Sequence, residues 1–180
     1  MPLTKPAPRQ ALHARNIEAK GFRRADGLFD IEARLVDTKT YAFPNADRGR
    51  IEPGEPVHDM WIRLTVDEDL VVQVAEAAMD ANPYRICPEI TPAYARLVGE
   101  RIGPGWTRRV RRLLGGTEGC RHLSEMLAVV ATAAFQTVVP LRERLESDSD
   151  SKPPHIDSCH ALASTGEVVR KHYPKFYTGN

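Results

Sequence analysis

Cysteine, net charge and long apolar runs are what this 180-residue chain has least of. Its three cysteines, Cys87, Cys120 and Cys159, lie far apart with no CxxC pair, which argues against a disulfide framework. The formal charge is +1 although 27% of residues are charged, so the footprint of a general nucleic-acid or membrane-surface binder is missing. No run approaches the length of a membrane helix, and the opening MPLTKPAPRQALHAR has no apolar signal core. There is no G-x-S-x-G, no H-E-x-x-H and no P-loop lysine. These absences predict a soluble protein of a reducing cytoplasm, with cysteines as thiols or metal ligands and no nucleic-acid or membrane partner. A homo-oligomer is left open.

What is present divides into four stretches. Residues 1–15 are rich in proline and base and read as a disordered arm. Residues 16–145 read as a single α+β domain, 146–155 (ESDSDSKPPH) as a polar spacer, and 156–180 as a tail hairpin packing on the same domain. Within FDIEARLVD, Phe29, Ile31, Ala33 and Leu35 alternate with polar residues, which is the pattern of a strand with one buried face. Ala25-Asp26-Gly27 marks a hairpin turn before it. Met60, Ile62, Leu64 and Val66 alternate in the same way, and a fourth strand returns over 70–77. The expected fold is an antiparallel sheet of about four strands packed on two or three C-terminal helices. Thr91-Pro92 reads as one helix start, Trp106–Leu114 as a short basic helix, and 117–144 as a long helix with Leu123, Met126, Leu127, Val130, Ala134 and Val138 at helical spacing.

Chemistry concentrates at element boundaries. Cys120 and His122, in GGTEGCRHLSEML, stand at the start of the long helix, where unpaired N–H groups and the helix dipole favour a thiolate. His58-Asp59 opens the third strand, and Cys87 in NPYRICP follows the sheet. Only one of His58 and Asp59 can point inward, because adjacent strand residues face opposite sides. Thiolate and imidazole together suit zinc or an iron–sulfur centre. The candidate catalytic residues are therefore Cys120, His122, Asp59 and His58, and the candidate metal ligands Cys87, Cys120 and His122. Each has a plainer alternative: Cys87 as a small buried hydrophobe, His122 as a helix-start side chain, His58-Asp59 as the polar beginning of a strand. Arg108 and Arg109 beside Trp106 form a basic face suited to a carboxylate or phosphate of a substrate, or else simply a solvated one. Cys159-His160 lies in the expected tail hairpin.

The order HDMWIRLTVD, PYRICP, LLGGTEGCRHLSEML, SCHALASTGEVVRKHYP resembles a bacterial family known as domain of unknown function 2889, from about residue 20 to 177. The resemblance implies no fixed activity. It implies an association with catabolism of aromatic or acyl-coenzyme A compounds, hence a small-molecule acid or coenzyme A ester as substrate. A looser topological likeness, a sheet followed by cysteines at helix starts, is similar to iron–sulfur cluster scaffold proteins, and would imply a cluster or zinc on Cys87 and Cys120. Three functions follow as expectations: a small enzyme on an organic acid or acyl thioester, with or without a metal; a zinc or iron–sulfur carrier; or a non-catalytic ligand-binding module.

Overall fold

The computed structural model describes residues 3–145 and 151–179. The chain forms two compact units, Met1–Glu143 and Arg144–Asn180. In the first, four long antiparallel strands make one sheet in the order β1-β2-β5-β6: β1 (His13–Arg23), β2 (Phe29–Lys39), β5 (Pro56–Val66) and β6 (Val72–Ala81). Two three-residue strands, β3 (Phe43–Asn45) and β4 (Gly49–Ile51), pair within the turn-rich stretch between β2 and β5. A 3-10 helix (Cys87–Leu97), α1 (Trp106–Leu114), a 3-10 turn (Gly116–Glu118) and α2 (Arg121–Leu145) follow. This is the α+β fold that the alternating and helical periodicities predict.

Register explains the core. Cross-strand rows on the inner face run Arg23–Phe29–Val66–Val72, Gly21–Ile31–Leu64–Ala75, Ala19–Ala33–Ile62–Ala77 and Ile17–Leu35–Met60–Met79. Each row is one side chain per strand on the same side of the pleat, which is how alternation becomes a continuous apolar surface. The buried α2 residues Leu123, Met126, Leu127, Val130, Ala134 and Val138 join these strand residues in one core. The helix comes close enough at β1 that a Cβ on Gly21 would lie 1.9 Å from Thr137 Oγ1, so only glycine fits there. By length and composition Arg121–Arg142 could cross a membrane, contrary to the expectation that no run would come near that length. Seven of its apolar residues, Leu123, Met126, Leu127, Val130, Ala134, Val138 and Val139, are buried in the core, while Val129 is exposed.

Several boundaries differ from the sequence expectation. Strand β1 starts at His13, inside the stretch read as an arm. Thr91 does not cap a helix: the 3-10 helix begins earlier, at Cys87, and runs through Pro92, while Thr91 Oγ1 donates to the Pro88 carbonyl. Pro92, inside the helix, removes an N–H donor that an α-helix would need there. The long helix starts at Arg121, four residues after Thr117, because the chain first closes a 3-10 turn and extends at Gly119. Gly119 is also a close approach, since a Cβ there would meet the Leu114 carbonyl oxygen at 2.4 Å.

The second unit corrects the tail hairpin. Its described residues form a 3-10 turn (His160–Leu162), α3 (Glu167–His172) and a 3-10 turn (Pro174–Phe176), with no strand among them. Asp157, at φ +65°, takes the Ser164 N–H on its carboxylate, and Leu162 and Gly166 bond carbonyls three residues back. Such local bonds consume the backbone groups a ladder would use. Lys152 and the Ser164 amide hold the Asp157 carboxyl down at about 2.

Candidate active site at the polar end of the sheet

The inner face does not end in apolar residues. One row beyond Ile17–Leu35–Met60 the same register aligns Arg15, Asp37 and His58 across β1, β2 and β5. Phase puts all three on the inner face, because they lie two residues from the last apolar member of each strand; Asp37 and His58 are buried there, while Arg15, on the edge strand, stays exposed. Asp37 is 2% exposed and His58 9%. A charge that deep must be paired, and this one is paired on every side. Arg15 donates Nε to Asp37 Oδ1 at 2.8 Å and Nη2 to Oδ2 at 2.7 Å, a bidentate fork. His58 Nδ1 donates to Oδ2 at 2.9 Å, and His13 Nε2 to Oδ1 at 3.2 Å. Burial pushes the Asp37 carboxyl up, but the Arg15 and His58 hydrogen bonds outweigh it and hold it below its usual value.

The first turn of α2 supplies the opposite wall. The His122 ring lies over the His58 ring with centroids 3.9 Å apart and a tilt of 36°. Burial pushes both imidazoles below the ordinary histidine value; for His58 the neighbouring His122 adds to this and Asp37 opposes it. Both are thereby biased toward the neutral, lone-pair-bearing form. Cys120 Sγ stands 4.0 Å from His122 Nδ1. The turn is clamped from below by Tyr94: its buried hydroxyl donates to the Cys120 carbonyl at 2.9 Å, accepts the Cys120 N–H at 3.2 Å, and lies 3.0 Å from Ser124 Oγ. Burial raises the Tyr94 hydroxyl to about 12, so it stays a neutral clamp. Glu125, one turn along α2, pairs with Arg15 Nη1.

Asp37, His58 and His122 each offer a ligand atom within 4.8 Å of the others, and among the described residues no other group of three does so. His122 and His58 are thus brought together, with Cys120 within reach of His122. Cys87 is outside this group; it opens the 3-10 helix, half-buried, and Cys159 is exposed in the other unit. Asp59 faces the other side of the sheet, where Arg34 grips it through Nε at 2.8 Å and Nη2 at 2.6 Å. Trp106 is core, its Nε1 donating to the Leu127 carbonyl, and Arg109 is tied to the Pro104 carbonyl and to Glu100. Arg108 and Arg109 line a surface hollow with Pro104, Gly105 and Arg112. Asp37, Arg15 and His13 escaped the sequence reading, although each continues an alternation already visible there.

A groove of about 670 Å³ runs between α1 and the start of α2, with Val110, Leu114 and Ala128 in its walls and Arg111, Arg121 and Glu125 around it. A family model described as a protein of unknown function (DUF2889) matches residues 13–136. The match opens at the first residue of β1 and closes within α2, so it spans every residue of the polar row and of the helix turn above it. No curated protein and no solved structure matches the chain.

Proposed function

The chain belongs to the DUF2889 family, which carries no assigned activity, so from its site we propose a small metal-dependent enzyme acting on an organic acid or its thioester. His58 and His122 are the protein ligands for a divalent ion such as Zn²⁺. The observation that carries this reading is the convergence of two imidazoles biased toward neutrality, one of them oriented by a buried carboxylate. A carboxylate behind a ligating histidine fixes its tautomer and strengthens it as a donor, a recurring arrangement around zinc. Two protein ligands leave positions for water and substrate, so the ion would serve as a Lewis acid or a water activator. The groove beside α2 supports an amphiphilic acid as substrate, its apolar walls taking the body and Arg111 or Arg121 the carboxylate. Free thiols in the chain suit a reducing cytoplasm.

The test is metal content of tag-free protein, followed by Zn²⁺ titration. One equivalent of metal in the wild type, lost in His58→Ala and His122→Ala but kept in Asp59→Asn, supports the reading. Metal-free wild type that also ignores added Zn²⁺ overturns it. The 4.0 Å approach of Cys120 Sγ to His122 favours one second reading, a metal-free thiol nucleophile with histidine as base. Cys120→Ser separates the two: it abolishes turnover if sulfur attacks, and leaves metal binding by the histidines intact. A carrier of an iron–sulfur cluster draws no support, since no described group of three ligating side chains contains two cysteines.

A further inference from the structure

Arg15 does two things at once, and its geometry points to a role distinct from pairing one carboxylate. Through Nε and Nη2 it holds Asp37, on the sheet, and through Nη1 it holds Glu125, on α2. Asp37 in turn holds His58, and α2 carries His122. We propose that Arg15 is a positioning residue, a strap that fixes the first turn of α2 over the sheet and so sets the His122 ring upon the His58 ring. It also keeps Asp37 out of direct contact with any ion. The carboxylate accepts four hydrogen bonds, from Arg15 twice, His13 and His58, and so has no lone pair to spare.

Alternatives for the same job are weaker. Tyr94 clamps the Cys120 backbone and meets the Ser124 hydroxyl, which fixes where the helix begins but not its rotation toward β1. Leu123, Met126 and Leu127 hold the helix down through non-directional apolar contact. The Arg15 fork is directional: planar guanidinium geometry fixes the angle between Asp37 and Glu125, which an ammonium on a flexible stem cannot do. The strap therefore belongs to the sheet-to-helix joint itself, and exists with or without a metal. Its consequence for metal affinity rests on the reading above.

Two measurements keep those claims separate. In metal-free protein, imidazole proton resonances of His58 and His122 report the stack through mutual ring-current shifts. Arg15→Ala is expected to move both toward free-histidine positions, Glu125→Gln to do so partly, and Arg15→Lys to fall between Arg15→Ala and wild type. Core methyl resonances should stay in place in all three, since Arg15 lies outside the apolar rows. In a Co²⁺ titration the Arg15→Ala protein should bind about 10–100-fold more weakly, with an altered visible absorption, as expected for lost support behind ligands. Unchanged imidazole shifts in Arg15→Ala would overturn the strap outright. Shifted imidazoles in a chain that never takes up Co²⁺ would confirm the strap and remove the metal.

Discussion

The two faces of the sheet carry the same pair of residue types to different ends. On the outer face Arg34 forks onto Asp59, and its guanidinium lies 4.7 Å over the Trp61 ring. On the inner face Arg15 forks onto Asp37. The outer pair is complete in itself, its Asp59 carboxylate buried and its Arg34 guanidinium open to water, and it belongs to a surface with Arg63 bound to Glu76 and Trp61 bound to Asp80. The inner carboxylate is 2% exposed and passes its influence on, to His58 and then to His122. Both carboxylates are buried, so the lesson is that what the carboxylate touches next, rather than burial or composition, turns an ion pair into machinery. With imidazoles on its free lone pairs, such a carboxylate decides which nitrogen carries a proton and how a ring is aimed.

Four substitutions sharpen that contrast. The largest effect is expected at the apolar rows that separate the faces. Leu64→Ala, at a fully buried position, should cost about 2–5 kcal/mol in urea unfolding, whereas its outward neighbour Arg63→Ala should stay within about 0.5 kcal/mol. Equal losses would mean that the sheet has no distinct inner side. Next come the two carboxylates. Asp37→Asn should cost about 1–3 kcal/mol, because Asn cannot accept both arms of the Arg15 fork while accepting from His58 and His13. Asp59→Asn should shift the midpoint less, since solvent screens the half-exposed Arg34. The reverse ranking would make the outer pair the structural one.

The smallest effect is a slope. His58 and His122 titrate below 6.5 in the folded chain, so between that folded value and 6.5 the unfolded chain binds more protons. Stability of metal-free protein is therefore full above about pH 6.5 and declines as pH falls below it. A His58→Gln, His122→Gln double variant should show a flatter profile from pH 6.5 to 5, measured by urea midpoints in chelator. Asp59→Asn should leave the slope in that window untouched and change it only under more acid conditions, where the lowered carboxyl of the wild type takes up a proton. A wild-type profile that is flat from pH 6.5 to 5 would show that the stacked rings are not held neutral.

How much of this was legible beforehand depends on which residues are asked about. Alternation through Phe29, Ile31, Ala33 and Leu35 placed β2, and its next member is Asp37, the last letter of FDIEARLVD. A carboxylate in phase with four buried apolar residues is the signal that went unread. His58 is in phase with Met60 in the same way, which settles the choice between His58 and Asp59 in favour of the histidine. Arg15 and His13 precede Ile17 at even spacing, but proline-rich surroundings made them look like an arm. The Cys120–His122 turn stood out because glycines announce a helix start. Cys87 stood out for the same reason and does not join the group, because a boundary position carries no information about which end of the fold it occupies.

The sequence by itself determined the periodicities: four strands with one apolar face each, and a long helix with one apolar side. Those follow from which side chains avoid water, a property each residue carries with it. Tertiary structure alone decided register. Pairing Arg15 with Asp37 and Asp37 with His58 brings together residues 22 and 21 positions apart, and laying α2 across them adds His122. No local preference encodes that alignment; it is fixed by turn geometry and by the packing of every apolar row behind it, and a slip of one residue would turn the site out to solvent.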